Sequence, residues 1–288
     1  MKEVAIKSND LLYLSLALFE VENPKAIIQM IHGAKEHKER YYEFIRWLNS
    51  NGFTVVIADN RGHGKSINDN YPLGYMENFN ELVEDQKKIT DFIKEKYPQK
   101  DIYMFGHSFG TMIARLYLQK YDMEIKKLVL SGPPNYNDNV GMGIMVGKMT
   151  IKLKGKGGFS DTLHDFAGFN TDDWVCSNPS IMENYRNDPL CNYRYRNQAL
   201  MTIFTANKEM HNIKSFQRNN KDLAILCVSG ALDPVTGGAK GLTDTINTLQ
   251  KIGYTTIENI VYPNMKHEIL NEYDKERVYV DIIKFYLK

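Results

Sequence analysis

A chain of 288 residues is long for one small domain and suits a single α/β domain that carries an insertion. Its 43% hydrophobic and 25% charged residues are ordinary for a globular protein, and a net charge of +1 gives no global field to recruit nucleic acid or an acidic surface. Three cysteines (Cys176, Cys191 and Cys227) are an odd number for a disulfide framework and fit a reducing, cytoplasmic compartment.

In chain order, the first strands are expected at Val4–Ile6 and Leu12–Val21, joined as a hairpin by the turn-like KSND. The apolar stretch Leu11 to Phe19 lies near the N-terminus. Acidic residues flank it on both sides and no small-residue cleavage site follows, so it reads as a strand rather than a secretion signal. It is also too short to span a bilayer. Further strands are expected at Ala26–Ile31, Thr54–Asp59, Asp101–Phe105, Lys127–Ser131, Ala224–Ser229 and Ile257–Tyr262. Helical patterns alternate with them at Glu39–Ser50, Phe79–Tyr97, Phe109–Tyr121, Lys240–Ile252 and Glu272–Leu287. Such alternation implies right-handed crossovers and an eight-stranded, mostly parallel sheet with helices on both faces.

The alternation stops between about Gly132 and Asp222. That region has glycines, Met-rich apolar stretches and clustered tyrosines but no clear strand. It reads as a helical cap, residues 132–221, inserted into a core of residues 1–131 and 222–288. Insertions at the carboxyl edge of a parallel sheet often shape the active site.

Gly106-x-Ser108-x-Gly110 falls where a strand gives way to a helix. This is the pattern of a nucleophile elbow, a strained turn that lifts a serine hydroxyl above the sheet, with glycines where strand and helix crowd each other. A serine hydroxyl at neutral pH needs a base, and the base needs an orienting acid. Of the downstream histidines, His164 and His211 lie in the insertion. His267 follows the final strand and is the expected base. Asp233 follows the preceding strand and is the expected acid, ahead of Asp244 in a helical pattern. The backbone N–H groups of Phe109 and Ala34 are the expected oxyanion donors. His32 is expected to brace the Ala34 loop.

Three other signals carry no chemistry. GMGIMVGKMT lacks the spacing and the Ser/Thr of a phosphate loop. DNRGHG reads as a structural turn whose Gly62 and Gly64 take positive φ. NYRYRNQ reads as cap packing, and no spacing of ligand residues suggests a catalytic metal or other cofactor.

The motifs HGAKEH…RY, ADNRGHGKS, GHSFG, GALDPV and HEILNE occur in that order, and NPSIMENYRNDPLC lies in the insertion. Together they resemble the monoacylglycerol lipases and related bacterial lysophospholipases, which are α/β-hydrolases. The resemblance covers nearly the whole chain. It implies that the nucleophile, acid and base are Ser108, Asp233 and His267, with oxyanion amides at Ala34 and Phe109. It also implies a small acyl-ester substrate, a monoacylglycerol or lysophospholipid. Lysines beside apolar residues in VGMGIMVGKMTIKLKGKGG suit presentation of that substrate at a lipid interface. The alternatives are a peptidase, a small-ester esterase, or a non-catalytic protein of the same fold, which a missing triad member would mark. Two departures stand out. Lys35 replaces a usual glycine and is expected to stiffen the oxyanion loop. Thr111 replaces a usual glycine or alanine after the elbow and is expected to tighten helix packing or narrow the pocket.

Overall fold

The computed structural model describes residues Met1–Lys288. Strand β1 (Lys2–Lys7) pairs antiparallel with β2 (Tyr13–Phe19), so most of the early apolar stretch is a strand. β2 runs antiparallel to β4 (Thr54–Ala58). The remaining strands are parallel: β3 (Ile27–Ile31), β5 (Ile102–His107), β6 (Lys127–Ser131), β7 (Ala224–Gly230) and β8 (Ile257–Tyr262). The order across the sheet is β1-β2-β4-β3-β5-β6-β7-β8.

Every residue of β3 and β4 is buried, which is why, apart from Gln29 and Thr54, these strands read as apolar runs. Their side chains alternate between two cores. Ile27 and Ile31 join Ile89, Ile113 and Leu249, from helices α2 (Phe79–Lys96), α3 (Phe109–Tyr121) and α8 (Gly238–Ile252). Ile28 and Met30 join Phe44 and Leu48 of α1 (Tyr42–Ser50) and Val278 and Ile282 of α9 (Lys275–Leu287). The period of two along a strand thus places one helical layer on each face.

Between β6 and β7 lie four helices: α4 (Val140–Lys154), α5 (Asp161–Phe166), α6 (Pro179–Asn187) and α7 (Asn197–Glu209). α4 packs on α7 and α5 because it carries glycines on that side. A Cβ at Gly143 would meet Phe166, and one at Gly147 would meet Met201. α7 in turn packs on α3, the helix that starts at the elbow. The other side of α4 is open, with Met142, Met145, Met149 and Leu153 each more than half exposed. The stretch GMGIMVGKMT therefore lies in a helix, not in a phosphate-binding loop. No helix is long and apolar enough to cross a membrane.

Candidate active site

β5 ends at His107 and α3 begins at Phe109, leaving Ser108 alone in the turn with φ 50° and ψ −121°. For a residue with a side chain, such a conformation costs about 1–3 kcal/mol and must be enforced by its surroundings. The Ser108 N–H donates to the carbonyl of Ser131 at 2.9 Å, and the Ser108 carbonyl accepts from the Thr111 N–H at 2.8 Å and its hydroxyl at 2.7 Å. Thr111 therefore tightens the first turn of the helix, and it does not line the cavity described below. The glycines are required by contact. A Cβ on Gly106 would sit 2.7 Å from the Gly110 carbonyl oxygen, and one on Gly110 would overlap the carbonyl of Ile31.

The loops after β7 and β8 meet at the same edge of the sheet. Gly230 permits this, since a Cβ there would overlap the carbonyls of Met265 and Lys266. His267 Nδ1 lies 2.8 Å from Asp233 Oδ2, and Asp233 Oδ1 accepts the Val235 N–H at 2.8 Å. Both side chains are buried. Burial pulls the His267 imidazole down, but the charge and hydrogen bond of Asp233, with Glu268 beside it, outweigh burial and raise its pKa above the ordinary value. Burial pushes Asp233 up, yet His267 outweighs it and holds the carboxyl below its usual value. With Nδ1 committed to Asp233, Nε2 is the ring's remaining nitrogen, buried and without a protein hydrogen-bond partner. Asp244 lies elsewhere, on α8, 3.3 Å from His211. His164 is tied to the Tyr195 carbonyl at 3.0 Å.

The loop after β3 is held by buried groups. His32 Nδ1 lies 2.8 Å from the Gly33 carbonyl, and Nε2 accepts the Asn60 N–H at 2.8 Å, so this histidine braces the loop. The Gly33 N–H donates to Glu36. Glu36 also accepts the Tyr41 hydroxyl at 2.7 Å and pairs with Arg40 at 3.2 Å. Arg40 reaches across to Glu268 through two bonds of 2.5 and 2.7 Å. Burial pushes Glu36 above its ordinary pKa. Burial acts on Glu268 in the same direction, but the Arg40 guanidinium outweighs it and holds Glu268 below. Ala34, at the head of this loop, donates its own N–H to no protein acceptor. The Phe109 N–H lies at the start of α3, where a helix leaves its first amides unpaired.

Lys35 adopts φ 54°, and its N–H donates to the Tyr195 hydroxyl at 2.9 Å. That hydroxyl also lies 2.7 Å from His63 Nε2. Tyr195, read from sequence as packing alone, thus anchors the loop after β3 to the segment between α6 and α7. In the DNRGHG turn, Gly62 and Gly64 take φ of 72° and 48°. Its Arg61 is consumed by Asp85, Asp10 and Glu81.

Ser108, Phe109, Ala34 and His267 all line one cavity of about 740 Å³. Asp233 stands behind His267, outside the lining. His107 is buried beside them, its ring 4.9 Å from that of His267, and burial drives its pKa down to about 3, so it stays neutral. Trp174 closes on the loop after β8: its carbonyl accepts the His267 N–H at 3.3 Å. Sequence reasoning assigned no role to Glu36, Arg40, His107 or Glu268, and only packing to Tyr195. His37, Asp188 and Cys191 could face one metal ion, but they lie outside the cavity lining, and His37 is already bonded to Asp188 at 2.8 Å.

The sequence pattern of the family described as serine aminopeptidase, S33, matches residues 22–274. The chain belongs to that family. Among its relatives is a monoacylglycerol lipase of Mycolicibacterium smegmatis, 23% identical over 90% of this chain and 87% of the relative. A human monoglyceride lipase is 33% identical over 38% of this chain and 35% of its own. A thermostable carboxyl esterase from Bacillus coagulans, solved with glycerol, superposes with a TM-score of 0.88 at 27% identity, covering 99% of this chain and 97% of that one. A soluble variant of the Saccharomyces cerevisiae monoglyceride lipase, solved with a substrate analogue, shares the fold with a TM-score of 0.77 at 19% identity, over 99% of this chain and 94% of that one. This member of the family has the α/β-hydrolase fold.

Proposed function

We propose that this protein is a serine hydrolase of carboxylic esters whose substrates are monoacylglycerols or lysophospholipids. The observation that carries the reading is the meeting in one cavity of a strained Ser108 and the unpaired Nε2 of His267, whose Nδ1 is held by Asp233. Ser108 attacks the acyl carbonyl while His267 takes its proton. The alkoxide that develops is met by the Ala34 and Phe109 amides. His267 then gives the proton to the departing alcohol, and a water activated by the same nitrogen releases the fatty acid. Asp233 holds the ring in the tautomer that each step needs.

The family's descriptive name suggests peptide substrates. An aminopeptidase must bind a free α-ammonium, which calls for an available carboxylate. The acids that line this cavity are all engaged: Glu36 with Gly33, Tyr41 and Arg40, Glu268 with Arg40, and Asp172 with Arg186. This favours esters. Four relatives named as monoacylglycerol or monoglyceride lipases and two named as lysophospholipases agree with the acylglycerol class. In this reading residues 132–221 are a cap over Ser108, residues 1–131 and 222–288 are the core, and the enzyme works in the cytoplasm at a lipid interface.

A fluorophosphonate probe should label the native protein and not Ser108→Ala. The variant should fold yet lose turnover of p-nitrophenyl butyrate by about four to six orders of magnitude. Substantial turnover by the folded variant would overturn the assignment. A panel of acylglycerols, lysophospholipids and aminoacyl amides separates the substrate classes.

A further inference from the structure

Two oddities coincide at Lys35. Its backbone lies in the left-handed region, φ 54°, which costs a residue bearing a Cβ about 1–2 kcal/mol. The Tyr195 hydroxyl bonded to its N–H helps enforce this conformation. Half-buried Lys35 lines the catalytic cavity next to Ala34, and no carboxylate stands within salt-bridge distance of its ammonium. A charge that loses part of its hydration gains from a partner, and strain of this kind collects where a side chain is put to use.

The neighbourhood explains what use. Asp172, the acid whose charge acts most strongly on Lys35, is committed to Arg186 through bonds of 2.8 and 2.7 Å. Asn192 joins the group through the Arg186 carbonyl at 2.9 Å. The nearest acid in Lys35's electrostatic surroundings is thus already held by Arg186, which lines the same cavity. Another part is apolar, with Phe166 and Phe204 in edge contact at 5.5 Å beside Val140 and Ile203. An acyl chain belongs against the apolar part. The leaving alcohol then falls to the wall that Lys35 shares with Arg186.

We infer that Lys35 is a selectivity determinant that recognises an anionic, phosphate-bearing leaving alcohol, so that acyl glycerol phosphates are preferred over neutral acylglycerols. The inference rests on the ester-hydrolase reading and adds its substrate class. The bonds broken and made are those of ordinary hydrolysis. The ester C–O bond breaks, glycerol phosphate leaves with the proton from His267, and water supplies the oxygen of the fatty acid.

The test compares kcat/KM for 1-hexanoylglycerol 3-phosphate and 1-hexanoylglycerol, matched in acyl chain and both monomeric, in the native protein and in Lys35→Gln, Lys35→Arg and Lys35→Gly. The native protein should prefer the phosphate. Lys35→Gln should lower the phosphate-to-neutral ratio about tenfold, as expected when one charge-assisted bond is lost, and Lys35→Arg should keep most of it. Lys35→Gly relieves the backbone strain, so it should also lose the ratio without unfolding. Equal losses on both substrates, or a ratio unmoved in all three variants, would overturn the inference while leaving ester hydrolysis standing. An acyl lactate preferred to the acyl glycerol phosphate would assign Lys35 to a carboxylate and overturn the phosphate. If neither glycerol ester turns over while p-nitrophenyl butyrate does, the acylglycerol reading itself fails, and this inference with it.

Discussion

His267 shows how a single side chain is tuned by opposing forces. Burial favours the neutral ring and Asp233 favours the charged one, and Asp233 wins. A base must be neutral to accept the serine proton, so kcat/KM should rise with pH along a limb whose apparent pKa lies above the ordinary 6.5 of histidine. A pH–rate profile with that limb below 6.5 would contradict the balance of forces described. Asp233→Asn removes the charge that raises the pKa, leaving burial to pull it down. The limb should therefore move to lower pH while kcat falls by about 10⁴. Asp244→Asn, on α8 beside His211, should be nearly normal in the same assay, and the reverse ranking would mean that the wrong acid was chosen. The placement of Ser108, Asp233 and His267 at one edge of the sheet was legible because each follows a strand. The Arg40–Glu268 bond was not: both residues fall in the motifs quoted, but they lie 228 positions apart and nothing local pairs one with the other.

The elements of the core were legible for a related reason. A strand buried on both faces is a continuous apolar run, and a helix covering one face of the sheet shows its own period. The insertion gave neither signal. α4 is apolar around much of its circumference, with glycines where it meets α5 and α7, and α5 has only six residues. The open side of α4 combines Met142, Met145, Met149 and Leu153 with exposed Lys148, Lys152 and Lys154. Methionine adapts to irregular apolar surroundings, and each lysine near an anionic lipid surface contributes about 1 kcal/mol. Changing Lys148, Lys152, Lys154 and Lys156 together to glutamine should weaken binding to phosphatidylglycerol vesicles in a sedimentation assay. Hydrolysis of p-nitrophenyl butyrate should change little, because none of the four lysines lines the cavity, which α4 reaches only through Val140. Equal loss in both measurements would remove the interfacial role.

At the scale of the whole molecule, insertion and core share a buried electrostatic joint. Arg40 pairs with Glu36 and Glu268 in the core, while its guanidinium lies 4.9 Å from the ring centre of Tyr185 on α6. Arg40→Ala would leave two buried carboxylates without their cation and should destabilise the protein by about 3–5 kcal/mol, read by denaturant titration. The sign of its pH dependence follows from Glu268, whose folded pKa lies below the ordinary value. The stability contributed by the pair is present at neutral pH and lost as pH falls through the carboxylate range. The deficit of the variant should therefore shrink on acidification, and a deficit independent of pH would assign the loss to packing. The placement of the insertion also bears on how the chain finds its fold. β6 and β7 are neighbours in the sheet, yet the whole insertion separates them, a loop roughly five times longer than the one between β5 and β6. Closing it costs about 1.4 kcal/mol more chain entropy if the insertion is still unstructured. The sheet thus divides in time at the seam beside Ser108. The first six strands can assemble early, and the half that carries Asp233 and His267 zips on later, so Ser108 meets His267 only near the end of folding.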